Sequence, residues 1–275
     1  MAVQVDERAF VHPGAQLEDG VVVGPYACVG DGVRLGSGTR VGAHAVVEGP
    51  TVIGRNNAIW NAASIGTAPQ DVSYKGDPTR LEIGDDNTFR EFVTVNRGTV
   101  KGGGLTSIGS GCMLMAYAHI AHDCRIGDGV VLANAVNLGG HVTLGDGVWS
   151  GGLVGVHHFV TVGRFAFLAG CSKFPRDVPP FCLCEGMPGK VRGLNTVGLR
   201  RRGMDQGVQR ALHNAVKLIY NSGLSVSHGI ERAEAEVEML PEVMELIAAI
   251  RASQAGVKGR AAEARRADRP EEDDE

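Results

Sequence analysis

Over most of its length this chain places an apolar residue at every sixth position, and few architectures can use that period. Stepping by six from Val11 gives Leu17, Val23, Val29, Leu35, Val41, Val47, Ile53, Ile59 and Ile65. Glycine follows at Gly24, Gly30, Gly36, Gly42, Gly54 and Gly66, where a chain turning a corner needs positive φ or close backbone approach. The phase breaks at Asp71, resumes at Ile83, Phe89 and Val95, and breaks again. It then runs from Ile108 through Leu114, Ile120, Ile126, Leu132, Leu138, Leu144, Val156, Val162 and Leu168, with Ser150 the exception. A helix needs apolar residues near a 3.6-residue period, and a hairpin sheet does not hold one phase over so many steps. Six-residue repeats of this kind wind short strands into a parallel β-helix, each aliphatic side chain pointing into a narrow core and each coil stacked about 4.8 Å from the next.

Composition agrees with a repetitive scaffold. Forty glycines against fourteen aromatic residues is far from ordinary globular usage. A net charge of −4 offers no general basic field, so neither nucleic acid nor an anionic membrane is an expected partner. No stretch approaches the roughly 18 apolar residues that span a bilayer, and Met1 to Phe10 lacks the apolar core of a signal peptide. A cytoplasmic protein is expected. The six cysteines, Cys28, Cys112, Cys124, Cys171, Cys182 and Cys184, lie among apolar neighbours as reduced thiols do. Cys182 and Cys184 have no second Cys or His pair beside them to complete a metal site.

On this repeat the sequence resembles the left-handed β-helix acyltransferases of the hexapeptide-repeat superfamily, in which three hexads complete one coil. The resemblance implies the left-handed winding, since parallel crossovers are otherwise right-handed. The expected fold is therefore an all-β left-handed parallel β-helix over residues 1–187 with a C-terminal α-helical domain over 188–253. Two loops interrupt the coil near 66–82 and 96–107. The cap follows from a change of period: Val208, Leu212, Ala215, Val216, Ile219 and Tyr220 share a helical face that stops at Gly223. Ile230, Ala233, Val237 and Leu240 form a second stripe, and Pro241 opens a third helix through Val243, Ile247 and Ile250. The charged residues 254–275 read as a disordered tail.

With eighteen residues per coil, His122, Gly140 and His158 lie one above another. His141 and His157 each sit one residue from that column, and His119 half a hexad away. A single surface histidine is ordinarily just solvated. A column of them suits either proton transfer near neutral pH or zinc binding, and spacing alone leaves both open.

Longer strings are more specific. Ala118 to Cys124, Gly139 to Val142, Gly155 to Phe159, Asn96 to Thr99, Gly102 to Thr106, Gln70-Asp71, Pro78 to Arg80, Asp177 to Pro180, Leu199 to Gly203 and Lys217 to Tyr220 resemble the UDP-N-acetylglucosamine acyltransferases of lipid A biosynthesis. The match is collinear from about Phe10 to Ala249. The resemblance implies transfer of a 3-hydroxyacyl group from acyl carrier protein to the 3-hydroxyl of UDP-N-acetylglucosamine, without metal or cofactor, in a homotrimer with sites between subunits. It implies His122 as general base, Asp123 as the group that orients it, and the Gly140 N–H as donor to the oxyanion. The Asp123 role requires a corner, because neighbours on a strand point apart. Gln70, Asp71, His119, His141 and His157 match positions around the sugar nucleotide, and His158 is expected beside them. Asn195 and Arg201 match positions near uridine and phosphates, and Gly170 the floor of the acyl groove. Arg200 to Arg202 offer a basic rim to an acidic carrier protein.

Three positions depart from the family pattern: His158 stands for a glutamine, Val197 for a glutamate and Ser73 for a lysine. They leave the acceptor open between the ordinary sugar and its 3-amino analogue. The rival readings are a zinc hydratase like the γ-class carbonic anhydrases and a non-catalytic hexapeptide scaffold. The relatives that acylate a glucosamine amine usually carry an extra N-terminal domain, whereas here the repeat begins by Val11.

Overall fold

A computed structural model describes residues 2–256 and 259. Among these residues, two- to six-residue strands form three sheets of eleven, nine and eight strands, and the chain visits them in rotation. This is the left-handed parallel β-helix. Coil-to-coil register is eighteen residues, as in Val22↔Arg40, Arg40↔Ala58 and His119↔Asn137. It lengthens to thirty at Ser64↔Thr94 and twenty-five at Thr94↔His119. The two sequence interruptions are thus insertions that leave the coil between strands and return to it in phase.

Each hexad buries two side chains. The apolar row read from the sequence is buried from Val23 to Leu168, and the residue two positions earlier is buried as well: Val21, Ala27, Val33, Ala45, Ala63, Cys112, Ala118 and Val136 among others. Alternation within a short strand sends both to the same side. Where this second row is polar it is paired internally. The Asn57 Oδ1 accepts from the Asn87 backbone N–H and side-chain amide at 3.0 and 2.9 Å, and Asn87 Oδ1 accepts from the Cys112 N–H at 2.8 Å.

The glycines after the aliphatic row serve close approach. A Cβ on Gly36 would lie 2.5 Å from the carbonyl carbon of Gly54, and one on Gly54 2.7 Å from Gly84 O. Of the six, only Gly66 has positive φ. The left-handed corner falls three residues after the aliphatic position and is held more often by other residues than by glycine, including Tyr26, His44, Phe92, Tyr117, Asp123 and His141.

The last coil passes into an antiparallel hairpin, Cys182–Gly186 with Gly189–Leu194, which extends the largest sheet across the boundary read at residue 188. Among the described residues four helices follow: α1 (Thr196–Arg201), α2 (Gln206–Tyr220), α3 (Val226–Glu236) and α4 (Pro241–Gln254). Asp205 caps α2 through its carboxylate, Ser225 caps α3, and Pro241 opens α4. Leu212, Val216, Ile219, Ile230, Leu246 and Ile247 join the same apolar core as Phe181 and Cys182, so the helices close that end of the coil. Arg164 on the coil forms a forked pair with Glu245 of α4 at 2.8 and 2.9 Å. The charged tail lies, beyond Gly256 and apart from Gly259, outside the described residues. All six cysteines are unpaired, and burial pushes the Cys112 and Cys124 thiols up to about 11 and about 12. Among the described residues, no helix is long and apolar enough to cross a membrane.

Candidate active site

Asp123 occupies a left-handed corner with φ 61° immediately after His122, which lets two sequence neighbours turn toward each other. His122 Nδ1 lies 2.7 Å from Asp123 Oδ2. The carboxylate is 1% exposed, while the imidazole keeps 16% of its surface. Two further donors come from the second insertion: the Thr99 N–H reaches Asp123 Oδ1 at 2.8 Å and the Thr99 hydroxyl reaches Oδ2 at 2.6 Å. The Asp123 N–H donates to Thr106 Oγ1 at 2.7 Å. Burial by itself raises a carboxyl pKa, but the bonds from His122 and Thr99 outweigh it and hold Asp123 below the ordinary range.

Two glycines make this packing possible. A Cβ on Gly102 would fall 2.0 Å from the Asp123 carboxyl carbon, so only glycine lets that loop close over the acid. A Cβ on Gly140 would fall 2.5 Å from His122 Cε1, so the imidazole lies directly on the backbone of the next coil. The Gly140 N–H finds no protein acceptor among the described residues.

His119, His122, Gly140, His157 and Gln70 line one groove of about 540 Å³, together with Leu138, Leu153, Lys173 and Met187. An apolar recess of similar volume between coil and α4 contains none of the residues named for chemistry. His141 stands at the next corner below Asp123, its ring 5.2 Å from that of His122 and stacked on Phe159 at 4.2 Å. Its Nε2 is 3.6 Å from Asp123 Oδ2. The His158 ring lies 3.8 Å from that of His157 but does not line the groove. Asp71 accepts from the Ser73 N–H at 2.8 Å, which is the chief reason its carboxyl is held low, with His122 and Lys101 adding.

The remaining expected residues sit apart. Asn195 caps α1, its Oδ1 accepting from the Gly198 N–H and its Nδ2 donating to Phe165 O. Arg201 is exposed on the last turn of α1, and neither residue lines the groove. Gly170 stacks at a corner on Gly152, where a Cβ would come 3.2 Å from Gly152 O. Sequence reading gave no role to Thr99, Gly102, Thr106, Leu153, Lys173 or Met187. For Thr99 and Gly102 a signal existed, because both lie in a phase break rich in glycine.

His122, Asp123 and His141 could bring one ligand atom each within 4.8 Å of one another, near enough to share an ion. The Asp123 carboxylate, however, already accepts three hydrogen bonds, a pattern that suits an orienting anion better than a metal ligand.

His119 bonds Thr94 Oγ1 through Nδ1 at 2.7 Å, and burial, then the charge of His122, lowers its pKa. The folded chain therefore binds fewer protons than the unfolded chain once pH falls below about 6.5. Stability supplied by neutral His119 is full above that value and is lost as pH falls through the depressed folded value. Thermal unfolding from pH 7 to 5 should show His119→Gln losing less stability than wild type, by at most about 1.4 kcal/mol per pH unit. Parallel curves for the two proteins would contradict this.

A left-handed β-helix bearing an imidazole–carboxylate pair over a glycine backbone on its outer wall has the architecture of a hexapeptide-repeat acyltransferase. Residues 105–140 match the family described as bacterial transferase hexapeptide (six repeats), and residues 177–258 match domain 2 of UDP N-acetylglucosamine O-acyltransferase. The chain is 44% identical over 211 residues to an acyl-[acyl-carrier-protein]–UDP-N-acetylglucosamine O-acyltransferase from Anaeromyxobacter, covering 77% of this chain and 82% of that protein. Among solved structures, LpxA from Acinetobacter baumannii matches with TM-score 0.86 and 40% identity over 90% of this chain and 97% of that one. The UDP-N-acetylglucosamine acyltransferase from Bacteroides fragilis matches with TM-score 0.88 and 35% identity, over 92% and 98%. This chain belongs to the UDP-N-acetylglucosamine O-acyltransferase family.

Proposed function

We propose that the chain transfers a 3-hydroxyacyl group from acyl carrier protein to the 3-hydroxyl of UDP-N-acetylglucosamine, the first step of lipid A biosynthesis, acting in the cytoplasm as a homotrimer. The observation that carries this reading is the His122–Asp123 pair packed on Gly140 inside the groove. With Nδ1–H donated to Asp123, His122 presents unprotonated Nε2 to the groove and removes the proton of the sugar hydroxyl as its oxygen attacks the thioester carbonyl. A C–O bond forms, and the carbonyl oxygen becomes an anion that the Gly140 N–H can receive. Collapse breaks the C–S bond, and the proton on Nε2 passes to the departing thiolate.

Gln70, Asp71, His119, His141 and His157 are then the residues that hold the sugar nucleotide, with His158 behind His157. Gly170 leaves room for the acyl chain. Two features support the trimer. The groove lies on an outer wall, and Phe92, Tyr117 and Leu153 form an exposed apolar corner that runs into it. Asn195 and Arg201 lie off this chain's own groove, so their contact with nucleotide requires a neighbouring copy. The test is incubation with a panel of 3-hydroxyacyl carrier proteins and either UDP-N-acetylglucosamine or its 3-amino analogue, with products identified by mass. An ester of the ordinary sugar is expected. An amide alone would move the acceptor to the amino sugar, and stoichiometric zinc with activity abolished by chelator would overturn the reading.

A further inference from the structure

The residue whose contacts are least explained by folding alone is Thr99. It lies in the second insertion, the segment that lengthens coil register from eighteen to twenty-five. A β-helix needs no such excursion to stack. What the excursion accomplishes is delivery of one residue's backbone N–H and hydroxyl to both oxygens of a carboxylate twenty-four positions away. The fit is close on every side: Gly102 lies over the carboxylate with no room for a Cβ, and Thr99 is buried.

Hydrogen-bond direction along this chain of groups is set from its far end. Thr99 caps the short turn Val100–Gly102, its Oγ1 accepting from the Gly102 N–H at 3.2 Å. A backbone N–H can only donate, so the hydroxyl directs its own hydrogen to the partner at 2.6 Å, Asp123 Oδ2. That oxygen, ionised, can only accept; besides Thr99 it faces His122 Nδ1 at 2.7 Å and, farther off, His141 Nε2 at 3.6 Å. The order Gly102 N–H to Thr99 O–H to Asp123 Oδ2, met from the other side by His122 Nδ1–H, leaves one tautomer of the imidazole. It is the one with a basic Nε2 in the groove.

We propose that Thr99 is a positioning residue for acyl transfer, which fixes His122 in its Nδ1–H tautomer and thereby sets the lower edge of the pH range in which the enzyme works. The inference rests on the acyltransferase reading and adds the second insertion to the active site. Without the hydroxyl, Asp123 keeps one donor fewer and becomes more basic. It then draws harder on a protonated His122, so the base is lost at a higher pH.

The experiment compares Thr99→Val, which keeps shape and removes the hydroxyl, with Thr99→Ser, which keeps the hydroxyl and removes a methyl. Expected for Thr99→Val are a fall in kcat of about 10- to 100-fold, KM for the sugar nucleotide changed little, and an acid limb of kcat/KM displaced to higher pH. Thr99→Ser should restore both rate and pH profile. An acid limb left in place in Thr99→Val, or Thr99→Ser as impaired as Thr99→Val, would overturn the proposal. Should Thr99→Val not fold, Thr99→Ala carries the same test: an acid limb displaced to higher pH is expected, and an acid limb at the wild-type position refutes the proposal. His122→Ala separates the two readings. Transfer undiminished in that variant strikes the acyltransferase mechanism, whereas an inactive His122→Ala beside an unperturbed Thr99→Val strikes only the role of Thr99.

Discussion

His122→Ala is expected to lower kcat/KM for acyl transfer by about 10³-fold or more without unfolding the coil, and Asp123→Asn to cost nearly as much. The first substitution removes a partly exposed ring from the outer wall and touches no member of the apolar core. The second is isosteric, though the Thr99 hydroxyl, which donates to Asp123 Oδ2, then meets an amide N–H and loses that acceptor. An asparagine Oδ1 accepts from the Thr99 N–H, and its amide donates to His122 Nδ1 in place of receiving from it. That arrangement inverts the tautomer: Nε2 carries the proton and cannot act as base. The double variant should be little worse than His122→Ala, because both changes disable one unit. The measurement is initial rate with 3-hydroxyacyl carrier protein at saturating sugar nucleotide, beside a thermal midpoint for each protein. Two losses that multiplied in the double variant would mean that Asp123 acts independently of the imidazole.

The repeat was legible because one hydropathy period runs through it, and each of its breaks is an insertion in the structure. Its second buried row was not, since Ala27, Thr39, Asn57, Cys112 and Val136 share no hydropathy, only inward direction and small or internally bonded side chains. The corners were hidden for a different reason. Left-handed φ at Tyr26, Phe92 and His141 is imposed by closure of the coil, and no local propensity announces it. The cap was read well where helices are amphipathic and poorly where they are not. The hairpin at Cys182–Leu194 has a strand whose inward positions are mostly glycine, with only Val191 and Leu194 apolar, and α1 is one short run ending in arginines.

In the site the same division holds. His122 and Asp123 are adjacent in sequence and were found together, and the corner that their partnership needs is present at Asp123. Thr99, Gly102 and Thr106 join them only because the insertion returns to the coil in register, which no spacing rule reveals. Asn195 has a structural duty that its sequence match did not show: its Oδ1 caps α1 and its Nδ2 donates to Phe165 O.

Adjacent glycines at 139 and 140 should respond oppositely to alanine. A Cβ on Gly139 would meet His158 backbone nitrogen at 2.7 Å, so Gly139→Ala pries neighbouring coils apart and should lower the thermal midpoint markedly. On Gly140 the three nearest atoms are all of the His122 ring, at 2.5, 2.7 and 3.1 Å, with no backbone among them. Gly140→Ala should therefore leave stability nearly unchanged and displace the imidazole from its bond to Asp123. A fall in kcat of about 10²- to 10³-fold is expected, comparable to loss of an oxyanion donor. The two causes separate in a His122→Ala background, where the ring is gone and the methyl has space. There the same substitution should cost less than about tenfold, since what remains is only its effect on the Gly140 N–H. An equal factor in both backgrounds would show that residue 140 works through its N–H alone and that the imidazole does not depend on the glycine beneath it.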